Sequence, residues 1–155
     1  VIRIAFYKGR HRWVNRLISW WTRGPYSHVE VVVELLYDAQ SPQDSAQNLG
    51  PRPSRCASSS QMDGGVRIKT INLSPDHWDL VEVDADAQHV RSWFEARKGT
   101  KYDYLGVLGF ILRIIGHDQK RWFCSEAVAA SLGFLEPWRF NPNSLYTVLK
   151  GVTCA

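Results

Sequence analysis

RWFCSEAVAASLGF (residues 121–134) runs from an extended aromatic approach into a helical pattern, with Cys124 at the junction. SEAVAASLG has the small and apolar residues of a helix that Gly133 closes. Small neighbours, Ser125 and Ala127, leave room around the sulfur. A thiol at a helix start gains thiolate character from the unsatisfied N–H groups there, and those groups also suit a developing oxyanion. Two readings stand at this point. Cys124 is a small hydrophobe packed beside Phe123, the common fate of a free cysteine, or it is a nucleophile whose base lies elsewhere.

YSHVEVVVELLY (26–37) supplies the base. Its composition is that of a strand, and side chains alternate faces along a strand. Val29, Val31, Val33 and Leu35 share the core face. His28, Glu30, Val32 and Glu34 share the other, expected to be open or cleft-facing. His28 is thus the candidate general base. The group that orients it is Glu30 on the same face, or Ser58 or Ser60 from the strand that follows. A histidine with a purely structural role fits the same pattern.

The rest of the chain reads as further strands and helices. VIRIAFY is a strand. HRWVNRLISWWTR (11–23) places Trp13, Val14, Leu17, Ile18, Trp20 and Trp21 at helical spacing, and Gly24-Pro25 stops it. Such a basic, Trp-rich helix packs on a sheet or lies on a membrane surface. Residues 38–65 are rich in Ser, Pro, Gln and Gly and read as a long loop, with a short strand in RCASSS. VRIKTINL and WDLVEVDA read as strands. Asp86 caps a helix AQHVRSWFEARK that ends at Gly99, residues 100–116 read as helical, and FNPNSLYTVLKG adds a last turn capped by Asn143 or Ser144.

Length and composition fit one domain over residues 1–155, with a flexible insertion at about 38–55. Seven Trp, six Tyr and six Phe suit a large core or a ligand-lining cleft. The net charge is +4, and residues 1–29 carry Arg3, Lys8, Arg10, Arg12, Arg16 and Arg23 with no Asp or Glu. That end suits an anionic surface, or is a solvated basic face. Three cysteines, Cys56, Cys124 and Cys154, form no CxxC and leave at least one thiol without an internal partner. The five histidines show no metal-binding spacing and no phosphate-binding glycine loop is present, so neither metal nor cofactor is expected. No specific nucleic-acid binding is expected either. LGVLGFIL (105–112) falls well short of the ~20 apolar residues of a membrane span. With no secretory signal in view, the expectation is a soluble protein, cytoplasmic by default.

Taken in order, YSHVEVVVE, SSSQMDGGVR, TKYDYLGVLG, RWFCSEAVAASLG and NPNSLY resemble the circularly permuted branch of the NlpC-type papain-like cysteine hydrolases. In that branch the His strand precedes the Cys helix, as here, and the resemblance spans roughly residues 2 to 148. It implies an α+β fold: a mostly antiparallel sheet packed against a Cys-bearing helix. It also implies Cys124 as nucleophile, His28 as base, and Tyr102 as a contact to substrate or oxyanion. Many permuted members carry a carboxylate on the strand after the His strand, where this chain reads CASSS, so Glu30, Ser58 and Ser60 remain alternatives for the third position. The implied reaction is hydrolysis of a peptide, cell-wall or lipid acyl bond through a thioester. The competing expectation is a non-catalytic domain that binds an anionic or lipidic ligand through residues 10–23.

Overall fold

In the computed structural model, which describes residues 1–9, 16, 18–20, 22–35, 52–104 and 120–153, the chain is a mixed α+β protein built on one curled seven-stranded sheet. The strands are β1 (Ile2–Tyr7), β2 (His28–Leu35), β3 (Arg52–Ser60), β4 (Gly65–Leu73), β5 (Trp78–Val83), β6 (Lys101–Tyr102) and β7 (Arg121–Trp122). Their order across the sheet is β5-β1-β2-β3-β4-β6-β7, and every pairing is antiparallel except β6 with β7. The described α-helices are α1 (Ala87–Arg97), α2 (Cys124–Ser131) and α3 (Pro142–Thr153), with a 3-10 turn at Pro137–Arg139.

Strand alternation builds the core. Ile4 and Phe6 of β1, Val29 and Val31 of β2 and Val81 of β5 are buried together, and Ile4 pairs with both Val31 and Val81. Val90 and Phe94, one helical turn apart on α1, join the same cluster, as do Val128 of α2 and Leu145 of α3. The other face of β2, expected to be open or cleft-facing, is covered at its middle, while Glu34 on the same face stays exposed. Ala5, Val32, Cys56 and Leu73 form a second apolar cluster, and Glu30 is fully buried. A carboxylate buried so deeply demands cationic or hydrogen-bonding partners.

α2 is buried nearly all round, because its Cys, Ser and Ala side chains are small enough to let the backbone settle against β2 and β3. Gly133, at φ +81°, ends it, and the Phe134 N–H returns to the Ala129 carbonyl at 3.0 Å. Asp86 caps α1 as expected, accepting from the Gln88 N–H at 2.9 Å.

Several boundaries differ from the sequence reading. β3 begins at Arg52, so the last four positions of the expected insertion 38–55 are strand, while residues 36–51 lie outside the described residues. Lys101 and Tyr102 are not helical. They are held in a two-residue strand between β4 and β7, where sheet pairing overrides the local helical pattern. The remainder of the expected helix, residues 105–116, lies outside the described residues. The last segment is a full helix rather than a turn, and its cap is Asn141, not Asn143 or Ser144. The Asn141 Oδ1 accepts from both the Asn143 and Ser144 N–H groups, at 3.0 and 2.9 Å. Of the basic N-terminal segment, Arg16 and residues 18–20 are helical, and the other positions of 10–21 lie outside the described residues. No described helix is long and apolar enough to cross a membrane.

Candidate functional site

His28 opens β2, with the Ser27 N–H donating to the Tyr7 carbonyl at 3.0 Å just before it. Two positions along the same strand, Glu30 Oε1 lies 2.7 Å from His28 Nε2. The Cys124 thiol lies near enough to the imidazole to interact with it and favour the charged ring. Three residues spread over almost a hundred positions of chain are thus brought together in one row: thiol, imidazole, carboxylate.

Cys124 arrives from the other end of the sheet. β7 leads directly into α2, so the cysteine is the first helical residue. Two contacts fix that junction. The Ser59 hydroxyl donates to the Trp122 carbonyl, and the Asp103 N–H donates to the same oxygen at 3.2 Å. Glu126, one turn into the helix, accepts from the Phe123 N–H at 3.3 Å. The sulfur itself is largely buried, and Cys56 is buried as well; neither is in a disulfide, and Cys154 lies outside the described residues.

Glu30 is held from its far side. Arg67 on β4 grips both carboxylate oxygens, Nη1 reaching Oε2 at 2.6 Å and Nη2 reaching Oε1. The guanidinium Nε then donates to Asp63 Oδ2 at 2.9 Å, and Lys69 Nζ donates to the same oxygen at 2.6 Å. A continuous line of alternating charge therefore runs from the half-buried imidazole out to the β3–β4 turn.

This environment sets the protonation states. Burial pushes the His28 pKa down, but the Glu30 charge and the hydrogen bonds to Cys124 and Glu30 outweigh it, raising it to about 9. Burial pushes Glu30 up, and the Arg67 hydrogen bonds with the His28 charge prevail, holding it below the ordinary carboxylate range. Around neutral pH the row therefore holds an imidazolium against a carboxylate. Burial, with Glu30 nearby, pushes the Cys56 thiol up to about 12, as suits a packing cysteine.

Ser58 and Ser60, the alternatives to Glu30, face backbone partners instead. The Ser58 hydroxyl donates to the Val29 carbonyl at 2.7 Å, and the Ser60 oxygen accepts from the Met62 N–H at 3.2 Å. Tyr102 is buried close enough to Cys124 to interact with it electrostatically. Burial first, and then Cys124, raise its phenol well above the ordinary value, so it stays a neutral hydroxyl. Arg67 and Asp63 did not figure in the sequence reading. The available signal was the buried-face position of Glu30, which calls for a cation, and the alternation of VRIK, which puts Arg67 and Lys69 on one face. Among the described residues no three His, Cys, Asp or Glu side chains are grouped to hold a metal ion. The chain matches no protein-family model and no curated protein sequence.

Proposed function

We propose that the chain is a cysteine hydrolase of the permuted papain-like, NlpC type, cleaving an amide or acyl bond through a thioester. The observation that carries this reading is the His28 imidazole, held by the buried Glu30 and close enough to the Cys124 thiol to interact with it. Glu30 fixes the ring and favours its charged form, and the imidazolium in turn supports the thiolate.

In the first step the Cys124 sulfur attacks the carbonyl carbon. The tetrahedral oxyanion is met by N–H groups at the start of α2, with the neutral Tyr102 hydroxyl at hand. As the intermediate collapses, the bond to the leaving amine or alcohol breaks and His28 gives that group its proton. Neutral His28 then takes a proton from water, the hydroxide attacks the thioester carbon, and the acid leaves as the sulfur regains its starting state. No net oxidation occurs and no cofactor takes part. Peptide, cell-wall and lipid acyl substrates all satisfy this chemistry.

Trapping tests it. Incubation with an activated acyl ester should add a single acyl mass, mapped to Cys124. The adduct should be lost in Cys124→Ala and strongly slowed in His28→Ala. Acylation confined to other residues would contradict the reading.

The second reading, binding of an anionic or lipidic ligand by residues 10–23, draws on Trp20, which is 71% exposed in a segment with exposed Arg16. Binding to anionic vesicles that vanishes in Trp20→Ala and survives Cys124→Ala supports it; no binding at low salt removes it.

A further inference from the structure

We propose that Arg67 is a positioning residue of the Cys124–His28–Glu30 group: its two-pronged grip on Glu30 keeps that carboxylate ionised and aimed, and so keeps the imidazole charged and turned toward the sulfur. The proposal rests on Cys124 being the nucleophile.

The geometry is specific. Glu30 is fully buried and must serve two cations at once, His28 Nε2 on Oε1 and Arg67 across both oxygens. A planar guanidinium is the side chain that fits a carboxylate in this way, and a lysine ammonium does not reproduce it. Arg67 is itself aimed by Asp63 through Nε, and its side chain is only 12% exposed, so water screens the contact poorly. It reaches Glu30 across β3, from the β4 position that pairs with Ser58. An isolated Glu30 would draw a proton to itself rather than leave a charge uncompensated, and the imidazole would then lose the partner that holds it charged.

The charged and titratable groups around the row are His28 and Glu30 on β2, Cys56 on β3, Asp63 in the turn, Arg67 and Lys69 on β4, Tyr102 on β6 with Asp103 after it, and Cys124 and Glu126 on α2. Burial pushes Asp63 up, but its bonds to Lys69 and Arg67 hold it down at about 2, so it stays ionised behind the guanidinium across the useful pH range. Counting the thiolate form of Cys124, the row carries three negative and three positive groups. Removing Arg67 leaves one negative charge in excess, and forming the thiolate then requires a higher pH.

The test is the pH profile of Cys124 alkylation by iodoacetamide, read at the Cys124 peptide by mass spectrometry, for wild type, Arg67→Met, Arg67→Lys and His28→Ala. Arg67→Met should move the midpoint of the profile up by about one pH unit, which slows the reaction about tenfold at pH values below the wild-type midpoint. Arg67→Lys restores charge without the fork and should fall between wild type and Arg67→Met. A residue needed only for folding would lower the folded fraction, seen by circular dichroism, and leave the midpoint of the folded protein in place. Should Arg67→Met not fold, Arg67→Lys decides alone. Profiles of the Arg67 variants that superimpose on wild type overturn the proposal while leaving the nucleophile intact. A wild-type Cys124 that reacts like an ordinary thiol and ignores His28→Ala overturns the nucleophile instead.

Discussion

Glu126 stands two residues after Cys124 with its carboxyl fully buried. Burial, reinforced by the nearby Asp103 and opposed by the Phe123 N–H, raises its pKa from 4.5 to about 8. The folded protein therefore holds a proton that the unfolded chain releases, so stability from this group is complete below about pH 4.5 and is lost as pH rises through about 8. His28 acts in the same direction at higher pH: its raised pKa contributes stability below about 6.5 that is lost through about 9. Glu126→Gln keeps the oxygen that accepts from Phe123 and removes the charge. It should raise Tm by roughly 5 °C at pH 9 and little at pH 5, read by thermal melts across pH. An equal change at both pH values contradicts this account of Glu126. Glu30→Gln should act the other way, because Arg67 and His28 lose their counter-charge. A loss of about 3 kcal/mol or more in denaturant unfolding is expected, together with a collapse of Cys124 acylation. Unchanged acylation in a folded Glu30→Gln protein would mean that the carboxylate does not orient the base.

At the level of elements, the turn between β3 and β4 sets where Tyr102 and the Cys124 junction sit. The Val66 N–H donates to the Thr100 carbonyl, and the Tyr102 N–H to the Gly64 carbonyl, both at 2.9 Å. Gly65 makes room for this: a Cβ there would lie 1.8 Å from the Thr100 oxygen. Gly65→Ala should cost about 1–3 kcal/mol by denaturant unfolding. It should also increase hydrogen exchange at Val66 and Tyr102, and unchanged exchange there would separate β6 from this turn. A different join ties α3 to the turn that precedes β2. Asn143 donates to the Tyr26 carbonyl and the Thr22 hydroxyl at 2.8 and 2.6 Å, and accepts from the Tyr26 N–H at 3.0 Å. Local signals made much of this legible. The alternation of YSHVEVVVE located β2, Asp86 announced its helix, and Gly133 closed α2. Lys101–Tyr102 was not legible, because a two-residue strand carries no periodicity and exists only through its neighbours. The cap of α3 was misplaced by two or three positions because NPNS offers three capping residues within four positions, and packing of Asn143 onto the 22–26 turn selects Asn141.

Across the whole molecule, the curled sheet converts sequence distance into contact. β2 lies third in the sheet order and β7 at its end, yet α2 crosses back over β2 and β3 and carries Cys124 to His28. Cys124, His28 and Glu30 were readable as residue types on a helix start and a strand face. Their supporting cation was not, since Arg67 reaches Glu30 over an intervening strand, and that register is set by the β3–β4 pairing rather than by spacing. Nor did alternation reveal that the second face of β2 is covered at Glu30 and Val32. That burial turns Glu30 from a surface charge into part of a charge row. The central claim is that Cys124 and His28 act as a pair, and the second-order rate of Cys124 alkylation near pH 7 tests it most directly. A rate at least tenfold above that of an unfolded-chain thiol, lost in His28→Ala while the fold persists, is the predicted result; a rate equal to that of the unfolded thiol and indifferent to the His28 substitution would contradict it.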